Sequence, residues 1–453
     1  MIPRQWPAPI NAALFTDLYE LTMVQAFVEE GFNGEAVFDV FVRRLPQRRN
    51  YLVACGVGEV LAFLESVRFD AASLEYLASL RMFSARFLDY LERFRFSGDV
   101  AAIPEGTPVF AFEPLLEIAA PLPEAQLIET LVLNQIGLQT MLASKASRVV
   151  TAAAGRGIVD FGLRRTQGID AGMKAARAFY IAGVAATSNV AGGHVYGIPV
   201  AGTMGHSYIQ AHADEREAFR RFASRYPGTT LLVDTYDTLD GVARVIDLAR
   251  EQGSSFSVQA IRLDSGDLGD LAVRARAMLD DAGLTSVRIV ASGNLDEDSV
   301  AALVARGAPI DVFGVGTEMA VSADAPRLDI VYKLVSYDGL DRVKLSPGKR
   351  VLPGRKQVFR IEEDGLPVRD VVGAATEHIA GRPLLVDVMK NGARLETSRE
   401  TLDVMRSRAA AQIAALPDRL RTLEPADQPY TIDYSRELEE RYDRAARTRH
   451  AAE

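Results

Sequence analysis

Between residues 155 and 320, short apolar runs alternate with helix-patterned segments, and this alternation restricts the fold more than any other feature of the 453-residue chain. Seven candidate strands can be read, at 157–162, 184–189, 200–205, 230–235, 258–264, 287–293 and 312–317, each closing on small or polar residues. Most are separated by amphipathic stretches. In 239–252, Val242, Val245, Ile246 and Ala249 recur at helical spacing, and 268–283 and 296–307 behave alike, each closing near a glycine suited to a helix C-terminus. Strands alternating with helices give βα units and a parallel sheet. Periodicity does not separate a closed barrel from an open doubly wound sheet, but the strand ends favour a barrel. Arg164 and Arg165, Asn189, His206, Asp234, Arg262 with Asp264, Ser292 and Thr317 follow nearly every strand. Barrel sites collect groups from many strand ends, whereas an open sheet concentrates them at one switch point.

The expected fold is therefore α/β: an irregular, TIM-like parallel barrel over 141–330. Around it, 12–30 reads as a helix, 107–122 as Pro-bounded strand, 124–147 as a long apolar helix, and 344–360 as strand again. A second α+β domain is expected from 1–140, completed by 331–385, with a charged helical region over 386–453. A length of 453 residues suits two or three units.

Composition narrows the function. The chain carries 51 basic and 60 acidic residues, a net charge of -9, which argues against a nucleic-acid surface. An anionic substrate then needs a local positive site. No window approaches the ~20 apolar residues of a spanning helix, and the Pro-broken N-terminus has no secretory h-region. Cys55 is the only cysteine, so intrachain disulfides and a cysteine zinc cluster are excluded. A cytoplasmic protein is the expectation, with Cys55 as apolar filler.

The sharpest constellation is Gly202-Thr203-Met204-Gly205-His206-Ser207, at a strand end before a segment, 208–226, that reads as a helix. A neutral imidazole is a competent nucleophile toward phosphorus, and free amides at a helix start hold phosphate. His194 and His212 lack such a context. In Arg262-Leu263-Asp264-Ser265-Gly266-Asp267 the carboxylates can reach a ribose or magnesium and the guanidinium offers a fork for an anion, although Asp267 also fits a plain helix-terminal carboxylate. Ser292-Gly293-Asn294 and Gly314-Val315-Gly316-Thr317 resemble the phosphate-cradling loops that follow the last strands of barrels. Arg164 and Arg165 add positive charge after the first strand. Walker-type, G-x-G-x-x-G, G-x-S-x-G and H-E-x-x-H motifs are absent.

With Thr16-Asp17-Leu18-Tyr19, Phe161 to Gly168, Ser188-Asn189 and Asp234-Thr235-Tyr236, these motifs resemble, in order and spacing, the nicotinate phosphoribosyltransferase family over most of the chain. The resemblance implies synthesis of nicotinate mononucleotide and pyrophosphate from nicotinate and 5-phosphoribosyl 1-pyrophosphate, the first step of NAD salvage from nicotinate. It implies coupling to ATP hydrolysis through a phosphohistidine at His206, with Mg2+ on the pyrophosphate. Tyr19, Thr203 and Arg262 would hold nicotinate. Thr317 with the Gly316 and Gly293 amides would hold the donor's 5-phosphate, Ser292 and Gly314 would also bind the donor, and Arg164 or Arg165 would face the donor or nicotinate. Asp264 or Asp267 would stabilise positive charge on the ribose. The family's homodimers share sites, so Tyr19 would act in trans; the cysteine zinc cluster of some members is missing, so no zinc is expected.

The nearest alternative is a nicotinamide-specific relative, whose amide calls for an added Asp or Asn acceptor. A quinolinate enzyme needs more basic residues and lacks the histidine motif. A non-transferase phosphate-binding barrel is a further alternative, but an aldolase wants a strand-end lysine, and none stands at these seven strand ends.

Overall fold

In the computed structural model, which describes residues 12–346 and 351–452, the chain divides into two compact units: Leu142–Pro326, and Met1–Met141 together with Arg327–Glu453. The 24-residue helix Glu129–Ala152 carries the chain from one to the other.

The unit Leu142–Pro326 is built on six parallel strands: β1 (Gly157–Asp160), β2 (Ala186–Thr187), β3 (Thr230–Leu232), β4 (Ala260–Leu263), β5 (Arg288–Ser292) and β6 (Val312–Val315). Their order is β2-β1-β6-β5-β4-β3. The first strand thus pairs with the last, Val159 opposite Gly314, which is the closure a barrel requires. The sheet curls but stays open along one seam. The expected strand at 200–205 forms no ladder among the described residues; Val200 makes a single parallel bridge to Thr187. Gly202 and Gly205 weaken an extended run there, and Thr203 turns its hydroxyl to a side chain from β4 instead. Strand ladders also stop short of the polar residues, β3 at Leu232 and β4 at Leu263, leaving Asp234 and Asp264 on loops.

Two helices differ from expectation. The segment 208–226 is not one helix but two, His206–Gln210 and Glu215–Arg225. Asp214 stands in extended backbone and accepts from the amides of Arg216 and Glu217, so it starts a second helix instead of continuing the first. The apolar segment 124–147 likewise splits into Leu122–Leu127 and Glu129–Ala152. Leu231, Ile261, Ile289 and Phe313 of the strands and Val242, Val245, Ala272 and Leu279 of the helices are all buried.

The other unit holds a seven-stranded antiparallel sheet in which Glu35–Val42 lies between Pro114–Pro121 and Ile330–Tyr337. Val37, Phe41, Ala119, Val331 and Val335 form its core. A four-stranded sheet contains Lys356–Glu363 and Leu366–Ala374; part of the expected strand 344–360 lies outside the described residues. Residues beyond 386 form strands as well as helices: Val386–Lys390 joins the larger sheet, and Thr431–Tyr434 pairs in parallel with Leu366–Ala374. Burial raises the Asp39 carboxyl to about 6 despite Lys356 Nζ at 2.7 Å, with the neighbouring Glu117 charge acting in the same direction. Cys55 is buried.

Candidate active site

His206 is the first residue of the helix His206–Gln210, with Gly205 before it in extended backbone. Its Nδ1 lies 3.1 Å from the Thr235 hydroxyl and its Nε2 lies 3.8 Å from Asp264 Oδ2. The ring thus spans from the loop after β3 to the loop after β4. Asp264 is fixed from two sides: Ser292, ending β5, donates its hydroxyl to Oδ1, and the Asp264 amide donates to Asp234 Oδ2 at 3.0 Å. Asp234 also accepts from the Ser265 hydroxyl at 2.5 Å, so one buried carboxylate anchors the loop that carries Asp264.

Gly293 makes this loop approach possible. Its φ is +96°, and a Cβ there would stand 1.9 Å from the Asp264 carbonyl oxygen, so both backbone conformation and space demand glycine. Gly314 on β6 is required for a different reason: a Cβ would come within 2.4 Å of the Phe161 ring.

Arg262 points from β4 to Thr203, its Nη1 donating to the hydroxyl at 2.5 Å, and its guanidinium sits 5.9 Å from the Phe161 ring centre. Its side chain is 12% exposed, and its Nε is buried with no hydrogen-bond acceptor. Asp264 Oδ1 stands 4.0 Å away, too far to serve. Burial depresses the guanidinium's affinity for its proton and Arg164 adds to the effect, while Asp264 and Asp234 oppose it. A buried N–H of a cation without an acceptor is costly, and the small exposed part of the same guanidinium is what remains open to an anion.

Of the two arginines after β1, Arg164 is the one whose charge is felt at Arg262; both are exposed in the turn Leu163–Arg165. Asp267 is engaged elsewhere. It caps the helix Leu268–Asp281 through the amides of Gly269 and Asp270 and pairs with Arg306 at 3.4 Å, interactions that hold its carboxyl below the usual range. Thr317 opens the short helix Thr317–Ala320 after Gly316. Tyr19 lies in the other unit, on the helix Leu18–Glu30; burial and the charges of Glu129 and Glu20 push its phenol up. His212 Nδ1 is held by the Tyr208 carbonyl at 2.8 Å. Thr235 and the ring of Phe161, which the sequence offers only as members of longer motifs, stand against His206 and Arg262 respectively.

Among the described residues, no group of three or more His, Cys, Asp or Glu side chains is placed to hold a metal ion. No helix among them is long and apolar enough to cross a membrane.

Comparison with known proteins gives the same partition of the chain. Residues 14–137 match the nicotinate phosphoribosyltransferase N-terminal domain, and residues 142–333 match the quinolinate phosphoribosyl transferase C-terminal domain. A nicotinate phosphoribosyltransferase of Mycobacterium tuberculosis is 53% identical over 439 residues, covering 97% of this chain and 94% of the relative. One from Bacillus subtilis is 42% identical, covering 78% of this chain and 73% of the relative. Among solved structures, human nicotinic acid phosphoribosyltransferase superimposes with a TM-score of 0.85 at 28% identity, over 95% of this chain and 99% of that one. A nicotinate-nucleotide pyrophosphorylase from Pyrococcus furiosus gives 0.75 at 26% identity, over 91% and 99%.

Proposed function

The chain belongs to the nicotinate phosphoribosyltransferase family, and from that premise we propose that it joins nicotinate to the ribose of 5-phosphoribosyl 1-pyrophosphate, with ATP hydrolysis coupled through phosphorylation of His206. The observation that carries the substrate choice is Arg262, a largely buried cation beside Thr203 and Phe161 whose neighbour Asp264 stands 4.0 Å away, beyond hydrogen-bond reach. A carboxylate satisfies that cation; an uncharged carboxamide leaves it less well compensated. Nicotinate would lie against Phe161 with its carboxylate at Arg262 and Thr203.

The ring nitrogen of nicotinate attacks the anomeric carbon as the bond to pyrophosphate breaks, and positive charge develops on the sugar. Asp264, held by Ser292 and Asp234, is the carboxylate positioned to stabilise that charge. Asp267, committed to its helix and Arg306, is not assigned this role. Arg164, Ser292, Gly293, Gly314, Gly316 and Thr317 bring positive charge, hydroxyls and close-packed backbone to the strand ends expected to hold donor phosphates. With no group of three metal-ligating side chains among the described residues, Mg2+ would be carried chiefly by substrate phosphates, where it would neutralise the leaving pyrophosphate.

His206 stands between Thr235 and Asp264 with a half-exposed side chain, which suits an imidazole that accepts the γ-phosphoryl group of ATP. The new negative charge then alters donor and product affinity. A homodimer in the cytosol, with Tyr19 reaching the neighbouring subunit's site, completes the reading. The test is His206→Asn: ATP-stimulated turnover and acid-labile protein-bound phosphate should both disappear. Persistence of the ATP stimulation would remove the coupling mechanism.

A further inference from the structure

Thr235 is joined to the two groups of the proposed site by a closed circuit of contacts. Its hydroxyl meets His206 Nδ1 at 3.1 Å, and His206 Nε2 faces Asp264 Oδ2 at 3.8 Å. The Asp264 amide returns to Asp234, the residue before Thr235, at 3.0 Å. Adjacent residues at the end of β3 therefore hold the histidine and the loop of the carboxylate. Without a partner at Nδ1, the imidazole is free to turn about its Cβ–Cγ bond, exchanging nitrogen for carbon at both contact points. Such terminal torsions are broad and roughly two-fold. The circuit crosses the open seam of the sheet, where no strand ladder joins 200–205 to β3. Side chains must do there what backbone pairing does elsewhere.

We propose that Thr235 is the positioning residue for His206: its hydroxyl fixes the imidazole plane across the seam and directs Nε2 to Asp264. Thr235 need not touch the substrate. A hydroxyl at this position, and not merely a β-branched side chain, is what the ring requires; serine supplies it and valine, of nearly the same shape, does not. The kinetic consequence rests on the phosphoryl-acceptor role given to His206, but the ring geometry does not.

Thr235→Val and Thr235→Ser, with His206→Asn to assign the resonance, test this in the full-length protein labelled with 15N-histidine. In Thr235→Val the Nδ1 resonance of His206 should leave its hydrogen-bonded position while the other histidines stay put; Thr235→Ser should keep it. In turnover with nicotinate, phosphoribosyl pyrophosphate and ATP, Thr235→Val should lose about tenfold in kcat, the size expected for one lost hydrogen bond. KM for nicotinate should stay within about twofold, as for an interaction that does not bind substrate, and Thr235→Ser should restore kcat. An unmoved Nδ1 resonance in Thr235→Val, or a serine variant as impaired as the valine one, overturns the proposal. If Thr235→Val does not fold, a wild-type Nδ1 resonance at the value of an unbonded nitrogen overturns it alone. Wild-type protein indifferent to ATP would remove the phosphoryl role while leaving the ring measurement to decide on Thr235.

Discussion

Replacing Arg262 by lysine isolates the fork from the charge. Lysine keeps one positive charge on β4 but has no Nε–H in a planar fork, and it cannot at once reach Thr203 and hold both oxygens of a carboxylate. In the native protein Nη1 is committed to Thr203, so the carboxylate would be held by the part of the guanidinium that stays exposed. A hydrogen bond to a charged group contributes about 1.5–3 kcal/mol, and each ~1.4 kcal/mol is tenfold in an equilibrium constant. The loss of one such bond should raise KM for nicotinate roughly 10- to 100-fold. At saturating nicotinate, kcat should fall by less than about threefold, because the interaction binds ground state and transition state alike. The assay is initial-rate formation of nicotinate mononucleotide over a nicotinate series at saturating donor, with circular dichroism melting as a folding control. Unchanged KM in a folded Arg262→Lys protein would refute the pocket. So would an equal rise in KM for nicotinamide, should it be turned over, because the fork would not then be reading charge.

Four further substitutions probe the two strand-end carboxylates, the packing of the Phe161 ring and a buried ion pair. Asp264→Asn should reduce kcat by about 10²-fold or more, whereas Asp267→Asn, altering a helix cap paired to Arg306, should leave kcat within about threefold; equal losses in steady-state assays would contradict the division of roles. Gly314→Ala drives a methyl group to 2.4 Å from the Phe161 ring and should destabilise by about 1–3 kcal/mol in denaturant titration, with KM for nicotinate rising as the ring is displaced. For Asp39 the folded carboxyl is raised from 3.8 to about 6, so the folded state binds the proton more tightly. Its contribution to stability is full below 3.8 and is lost as pH rises through about 6. The midpoint of unfolding by urea should fall over that window, and Asp39→Asn should flatten the fall; an unaltered pH slope would show that Asp39 does not cause it.

The strand-end residues were legible in sequence because a βα unit places its polar groups immediately after an apolar run. Arg262 after Ile261, Ser292 after Ala291 and His206 after a Gly-flanked segment could each be located this way. The two glycines of 200–205 were a local sign against a regular strand, but the contact that its Thr203 hydroxyl makes with Arg262, about sixty residues later, has no local signal. The break between the helices His206–Gln210 and Glu215–Arg225 did have a local signal, Asp214 followed three residues later by Glu217, but the apolar spacing around it masked the cap. Thr235 had no signal of its own: a threonine beside an aspartate is common, and only the fold brings it to a histidine 29 residues away. Asp267 carries two readings in the sequence, a substrate-facing carboxylate and a helix-terminal one, and the structure shows it capping a helix and paired with Arg306.

If a pyridine carboxylate is read at Arg262 and ATP acts through His206, purified protein given phosphoribosyl pyrophosphate and Mg2+, and offered nicotinate, nicotinamide or quinolinate with and without ATP, should form nicotinate mononucleotide, faster or to a higher extent when ATP is hydrolysed. Turnover of nicotinamide but not nicotinate would contradict it.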